Sequence, residues 1–578
     1  MELITAPGDQ KKYRVLFYHA QHQEIDRFLQ VTALTLKTYI DVMAPGLADR
    51  LIWEVPIQEI VDDDTLLTVI REQQIDFLCT SHFIWNHTDL MQQLSRLREH
   101  LPPSLLILCG GPSIDVHINK EFFSQYPWVD YAVYGPGEKA FLDILSHHVL
   151  NQPLKAVTTT NCAWYDKKKN KIELASFENI KVLQQSPFLA NKPLFARMAL
   201  AKRKKYPKGF TLNYELTRGC PYACTFCDWN GGFTNKVSRR KNTYKKEIDL
   251  FFHLGIRGLY LSDANVGQYD EDVDMLEYVG QQGLKRNQPM KAWGNFSKLN
   301  KKNNLKMYHI LFKYGMGSNV MLISMQDIDT QVLTNIARPD VGWPEHRAMA
   351  QEIVDAYPQA IVVCQLIYGL PGQTPDSWRN TLRTITAENV YPYVFINLPL
   401  PASPALYDPN YQGKFNFEYM VINRIMWQPD TDDHHQKTYS TKITKSCFSF
   451  SQHDLVTMNL LTGIYQAMTK LNLYARRHGL AQFNLEQIVD GFLVSPHYRR
   501  YHENFYSNWI NHNNFFYTTS FGGRPSAIAD EDLGNQMALD RDFHWWIRSY
   551  ASPDWIQFLS TAHAYTLLSE YFTGLTGI

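Results

Sequence analysis

Two stretches of the chain alternate short apolar, β-rich runs with segments of helical period. The first extends from Tyr13 to about Leu150, with strand patterns at 13–19 (YRVLFYH), 51–55 (LIWEV), 75–81 (IDFLCTS), 105–111 (LLILCGG) and 129–135 (VDYAVYG). An amphipathic helix is predicted over 25–43 and another from Glu138. Apolar runs separated by helix-sized intervals imply βαβ units, and hence a parallel, doubly wound, Rossmann-like sheet over residues 1–150. Such sheets bind ligands beyond the carboxyl ends of their strands. There the glycines of LLILCGGPS and VDYAVYGPGE allow close approach of backbone to a phosphate or ribose, which predicts a nucleotide- or cofactor-binding domain.

Between 151 and 205 the pattern turns polar: a hairpin is predicted in NCAWYDKKKNKIELASF, followed by a proline-containing crossing segment, and the whole reads as a connector. A second alternation fills 206–405, with strand patterns at 210–217, 256–263, 289–296, 318–325, 360–369 and 393–400. Six strands with crossover helices predict a partial (β/α)6 barrel with its chemistry at the carboxyl ends of the strands. Residues 406–578 are aromatic-rich and mostly helical in pattern, and are expected to cap the barrel and supply the substrate wall.

Composition adds exclusions. At 578 residues, 45% hydrophobic and 20% charged, the chain has the profile of a folded enzyme-sized protein and not of a disordered or fibrous one. Lys+Arg and Asp+Glu are both 57, so no global field favours nucleic acid or an anionic membrane. No apolar run reaches the length of a membrane helix, and the opening MELITAPGDQKKYR lacks a signal-peptide pattern, which gives a cytoplasmic expectation. Eight cysteines are too few for a disulfide scaffold, yet three crowd into TRGCPYACTFCDWNGG.

That Cys220-x3-Cys224-x2-Cys227 spacing puts three thiolates on one short loop, enough for three corners of a 4Fe-4S cluster with the fourth iron open to a ligand. A closed zinc site needs four ligands, usually from two cysteine pairs; there is no second pair, and the nearest histidine, His253, sits in a helical stretch.

These residues resemble the radical S-adenosylmethionine (SAM) enzymes, whose open iron chelates the amino and carboxylate groups of SAM. Within the resemblance, Phe226 stands where the family places an adenine neighbour. Asp263 and Asn265 of LYLSDANVG stand at the amino-group-binding strand end, where Gly-Gly-Glu is more usual. Ser324, Gln326 and Arg338 of LISMQDIDTQVLTNIARPD match the ribose- and carboxylate-binding segment. Gly369, Leu370 and Gly372 of QLIYGLPGQT, with Ile367, match the glycine-rich segment that packs on adenine.

A doubly wound domain ahead of the barrel further resembles the cobalamin-binding subclass, in which the corrin lies between the two domains and its nucleotide tail runs into the doubly wound sheet. Gly110, Gly111, Pro112, Ser113, Gly135 and Glu138 match the tail-binding loops, with Pro136 replacing a frequent acidic residue. Ser81, Phe83 and Trp85 are expected beneath the corrin, and plain core packing is the alternative for Trp85. Asp115-Val116-His117 lacks the glycine and the strand position of the mutase-type cobalt-ligand motif, and His19 and His22, at the end of the first strand and read as polar loop histidines, do not complete it, so a cobalt without a protein histidine is expected; His82 is the remaining candidate.

The basic runs Lys202–Lys208 and Arg239–Lys246 flank the triplet. They are either solvated faces or a landing patch for an acidic flavodoxin- or ferredoxin-type electron donor. The resemblance implies a cobalamin-dependent radical SAM methyltransferase acting on an unactivated carbon of a peptide or small molecule. A non-methylating cyclisation or rearrangement, or a cluster and cobalamin sensor without turnover, remains open. Dense Lys/Arg suited to nucleic acid is absent from the carboxyl region, and no membrane partner is expected.

Overall fold

The structure is a computed structural model that describes residues 11–21, 27–83, 86–114, 120–230, 237–241, 244–317, 319–400, 403–425 and 438–494, with 499, 502 and 503. The described residues form two compact units. One holds those up to Ala223 together with Cys227–Ser297 and Ser403; the other holds Cys224–Phe226, Lys298–Leu400 and those from Pro404 onward.

In the first unit, β1 (Tyr13–Gln21) is central to a sheet ordered β3 (Leu51–Trp53), β1, β5 (Phe77–Ser81), β6 (Leu106–Gly110), β7 (Tyr131–Val133), β8 (Cys162–Asp166), β9 (Lys171–Leu174), and β4 (Ile57–Glu59) also pairs with β1. All pairs from β3 to β7 are parallel, and the polar hairpin of β8 and β9 adds two antiparallel strands at the edge. The fold is therefore mixed α/β with a doubly wound parallel sheet. Every residue of β5 is buried, as a strand covered on both faces requires. On one face Leu16, Tyr18, Leu78 and Ile107 pack with Leu66, Ile70, Leu90 and Leu94 of the covering helices.

The helix expected over 25–43 begins only at Thr32 and runs to Met43 (α1); Phe28 and Leu29 instead form β2. This two-residue strand pairs in parallel with β10 (Phe210–Tyr214), through Thr211 with Phe28 and Leu212 with Leu29. Strand pairing with a distant edge overrides the helical period there. The resulting sheet is ordered β14 (Lys291–Phe296), β13 (Ile256–Val266), β10, β2. It carries the first three predicted barrel strands. Its outer face is stiffened by the rings of Phe188, Phe195, Tyr214 and Phe251, whose centroids lie 4.9–5.9 Å apart.

The second unit holds the other three predicted barrel strands as a parallel sheet of β15 (Val320–Gln326), β16 (Ile361–Tyr368) and β17 (Tyr391–Ile396). A long helix, Gln452–His478, opens with a capping box between Ser451 and Asp454 and packs on this sheet. Trp378 is fully buried against it, its indole N–H donating to Met458 O at 3.2 Å and Thr462 Oγ1 at 3.0 Å. The predicted helix at 554–572 lies outside the described residues. Among the described residues no helix is long and apolar enough to cross a membrane.

Candidate functional site

The cysteine loop leaves β10 through β11 (Thr217–Arg218), which pairs antiparallel with β12 (Ser238–Arg239). Its leading edge is fixed by the end of β13. The carboxylate of Asp263 accepts from Leu216 N and Thr217 N, each at 2.8 Å. Burial pushes Asp263 up to about 7 despite these two donors. Asp263, expected as an acceptor at the strand end, holds the loop through these two bonds. Asn265, two residues on, has a divided role: Nδ2 donates to Cys220 Sγ at 3.2 Å, and Oδ1 is buried with no hydrogen-bond partner among the described residues.

Cys220 and Cys224 are buried and Cys227 half-buried, all as free thiols. In the second unit Lys298 Nζ lies 3.6 Å from Cys224 Sγ. Donors aimed at sulfur suit thiolates that carry charge in an iron-sulfur site. Among the described residues no three His, Cys, Asp or Glu side chains are gathered into a closed metal cage, the triplet included; its fit to a cluster rests on spacing, loop position and these two donors.

Immediately before the triplet, Arg218 is held by two carboxylates. Its NH1 pairs with Glu138 and its NH2 lies 2.9 Å from Glu215 Oε2. Burial alone would lower the guanidinium; Glu138 and Glu215 outweigh it and push it up. Glu215, Arg218 and Arg240 line a recess with Thr35, Thr38 and Phe188.

In the second unit Phe226 packs on Val332, Leu333, Ile336 and Leu370, and Ile367 joins the same cluster. Thr225 N donates to Ile336 O at 3.0 Å, which anchors that part of the loop. The Ser324 hydroxyl donates to Gln365 Oε1, and Arg338 NH2 donates to the Ser324 carbonyl. Arg338 is buried beside Asp340, whose Oδ1 lies 2.9 Å from His346 Nε2; Arg338 Nε, Asp340 Oδ2 and His346 Nδ1 have no hydrogen-bond partner. Gln326 ends β15 with φ of 76°, a left-handed conformation rare outside glycine. Gly369 and Gly372 also have positive φ, and a Cβ on Gly372 would stand 2.8 Å from Asn335 Nδ2. The turn's own packing therefore requires these glycines.

On the doubly wound domain the predicted loops do lie at the carboxyl ends of the strands. Gly110 O accepts from His82 N at 2.7 Å, and Ser113 N donates to His82 O at 3.1 Å, so the loops after β5 and β6 are laced together. Gly111 has φ of 104°, and a Cβ there would meet His82 O at 2.6 Å. Pro112 and Gly135 are exposed, whereas Glu138 is turned inward to Arg218. Phe83 is half-buried; Trp85, His22 and His117 lie outside the described residues.

His19 is a residue of β1, only 2% exposed, and not a loop histidine. Its Nδ1 lies 2.9 Å from Ser81 Oγ, and its Nε2 has no hydrogen-bond partner among the described residues. Burial, with Lys202 nearby, lowers it to about 3. Both amide atoms of Gln21 and the indole nitrogen of Trp53 are likewise buried without hydrogen bonds. His19 stacks with Phe17, and Phe17 with Trp53, which places these side chains on one face of the sheet. Unmet polar groups at this depth fit a ligand that brings its own donors and acceptors. His82 is buried too, with Nε2 turned to Thr80 Oγ1 at 2.8 Å.

Arg218, Lys298, Gln21 and Trp53 had not been singled out. Arg218 directly precedes the triplet and Lys298 closely follows a barrel strand, both positions where barrel chemistry concentrates. For Gln21 and Trp53 the sequence carries no such signal.

Residues 214–385 match the model of the Radical SAM superfamily. The chain is 26% identical over 380 residues to 2-(S-pantetheinyl)-carbapenam-3-carboxylate methyltransferase of Streptantibioticus cattleyicolor, covering 64% of this chain and 54% of the relative. It is 25% identical over 373 residues to the cobalamin-dependent radical SAM methyltransferase TokK of Streptomyces tokunonensis, covering 62% and 51%. The chain thus spans about half the length of the curated relatives it matches. Its fold is shared with the radical SAM methyltransferase TsrM of Kitasatospora setae, solved with cobalamin and a [4Fe-4S] cluster, at a TM-score of 0.53, 11% identity, and coverage of 75% of this chain and 84% of that one.

Proposed function

We infer that this chain, whose residues 214–385 form a radical SAM domain, is a cobalamin-dependent radical SAM C-methyltransferase. The observation that carries the reading is the free-thiol triplet directly after the first barrel strand, with Asn265 donating to Cys220, on a chain that also has a doubly wound domain. When bound, the cluster would supply the electron that cleaves SAM, and cobalamin would supply the methyl group.

Cys220, Cys224 and Cys227 would hold the iron. Asn265 Oδ1, buried and unpartnered, suits the ammonium of SAM. Phe226 and Leu370 would offer the apolar face to adenine, with Gly369 and Gly372 shaping the turn beside it; Ser324 and Gln326 would face ribose, and Arg338 the carboxylate. Asp263 would act by holding Leu216 and Thr217 in place. On the doubly wound domain, Gly110, Gly111, Pro112, Ser113 and Gly135 would line the cobalamin nucleotide tail. The unmet polar atoms of His19, Gln21 and Trp53 support a polar tail there. Ser81, Phe83 and Trp85 would shield the lower face of the corrin.

We assign residues 1–150 to cobalamin binding, 151–205 to a connector, 206–405 to the barrel and 406–578 to substrate enclosure. The substrate is read as a small molecule or peptide. Two relatives carry methyltransferase names, and one of those names specifies a pantetheinylated carbapenam, which favours a small molecule with an amide-rich arm. A flavodoxin- or ferredoxin-type protein in the cytoplasm would deliver the electron. The test is anaerobic reconstitution with substrate and mass analysis of SAM products. S-adenosylhomocysteine together with 5′-deoxyadenosine is the expected result, and 5′-deoxyadenosine alone would mean a non-methylating reaction.

A further inference from the structure

The pair between Glu138 and Arg218 joins two motifs that are 80 residues apart in the chain. Glu138 ends the GPGE loop of the doubly wound domain and is the first residue of helix α2 (Glu138–Leu150). It is only 4% exposed, and its carboxylate is directed at the guanidinium of Arg218. Arg218 stands two residues before Cys220. Its fork is completed by Glu215, with Nε 3.3 Å from Oε1 and NH2 2.9 Å from Oε2.

We propose that Glu138 is a positioning residue for the cysteine loop, acting through Arg218, and not a contact of the cofactor on the doubly wound domain. The proposal rests on the reading of Cys220 as an iron ligand. Segment 215–218 is held on its other sides by Asp263, and by Arg240 N, which donates to Leu216 O at 2.9 Å. Arg239 adds a hydrogen bond from NH1 to Thr217 Oγ1 at 2.6 Å. Glu138 is a charged group that ties this frame to the doubly wound domain. A bidentate, nearly buried guanidinium fixes geometry as well as charge. Removing one carboxylate leaves Arg218 under-compensated in a low-dielectric setting, which strains the loop it leads into.

The test compares the reconstituted full chain with Glu138→Gln, Arg218→Gln and the double variant, reading cobalamin affinity, iron release to a chelator and cluster midpoint potential. Glu138→Gln is expected to keep cobalamin affinity within about twofold and to lose iron about tenfold faster, as supporting-shell changes around metal ligands do. Its midpoint potential should move positive, because Arg218 loses a compensating carboxylate, and that of Arg218→Gln should move negative. The double variant should release iron no faster than the worse single variant, since both act through one contact. If Glu138→Gln does not fold, Glu138→Asp, which keeps the charge but draws it back from Arg218, carries the iron-release and cobalamin-affinity arms of the comparison. Cobalamin affinity lowered about tenfold, with iron release and potential as in the parent, would overturn the proposal. So would fully additive iron release in the double variant. A parent chain that holds its cluster but binds no cobalamin counts against the methyltransferase reading alone, because iron release and potential still decide this one.

Discussion

Asn265 spans two roles with one side chain: Nδ2 lies 3.2 Å from the sulfur of Cys220, and Oδ1 is buried without a hydrogen-bond partner. A donor on a ligating thiolate withdraws charge and makes a cluster easier to reduce. Asn265→Ala is therefore expected to shift the cluster midpoint to a more negative potential and to weaken SAM binding about tenfold. Redox titration followed by paramagnetic resonance, with equilibrium SAM binding, checks both. A variant with the parent's potential would remove Cys220 from the set of charged ligands.

Cys220, Cys224 and Cys227 should each be needed for iron and sulfide, and Cys79, Cys109, Cys162, Cys364 and Cys447 should not. Burial pushes the thiols of Cys79, Cys162 and Cys364 up, and that of Cys109 up to about 12, so these four stay protonated and poor metal ligands. Quantitative iron and sulfide analysis of anaerobically reconstituted alanine variants separates the two groups.

Gly111 separates the demands of the fold from those of a cofactor. At φ of 104°, with a Cβ only 2.6 Å from His82 O, Gly111→Ala must move backbone and should cost about 2 kcal/mol or more of stability with no ligand present. Gly135 is exposed, and Gly135→Ala should cost less, about 1 kcal/mol. Thermal unfolding of the two cofactor-free variants makes the comparison.

The legible parts of this molecule are those whose signal is local. β1 and β5 announce themselves as continuous apolar runs, and the cysteine loop by spacing alone. What was not legible depends on partners far away in the chain. Phe28 and Leu29 read as helix because only the edge of β10 makes them a strand. The pairing of Glu138 with Arg218, 80 residues on, has no signal in the GPGE motif. That Asp263 holds Leu216 N and Thr217 N is equally invisible, since those partners lie more than 40 residues away. His19 looks like a loop residue because the sequence does not show that β1 extends to Gln21.

Acid should destabilise the chain through its buried histidines. Burial lowers His19 to about 3 and His87 to about 4, and lowers His82 as well. The folded chain keeps His19 neutral down to about pH 3, whereas the unfolded chain takes up the proton near the ordinary histidine value of 6.5. Between those values the unfolded state binds more protons, so stability is full above about pH 6.5 and falls as the pH drops toward 3. By pH 4 His19 alone should cost up to about 3 kcal/mol. Chemical denaturation at pH 7 and pH 4.5 of the parent and of His19→Gln, which removes this titration, measures the difference. An unchanged pH slope in His19→Gln would show that His19 is not held neutral.

The carboxyl region can be tested by truncation, and the packing of helix Gln452–His478 decides where to cut. Removal from about residue 430 onward would strip that helix from the barrel strands. It would leave the Trp378 indole without Met458 and Thr462, the Tyr368 hydroxyl without Asn459 at 3.0 Å, and Pro392 O without Gln466. Opening a buried aromatic and several hydrogen bonds at once costs several kcal/mol, about the whole stability of a domain. Such a deletion would report on folding and not on substrate. A cut after Glu503 keeps the helix and removes SNWINHNNFFYTTS and FHWWIRSY, which are aromatic and rich in Asn and His. The shortened chain is expected to load iron and cobalamin as the parent does and to cleave SAM slowly without substrate. It should fail to transfer a methyl group, because the aromatic, Asn- and His-rich sequence proposed to enclose the substrate is gone. Methyl transfer at the parent's rate would place substrate recognition within residues 206–503.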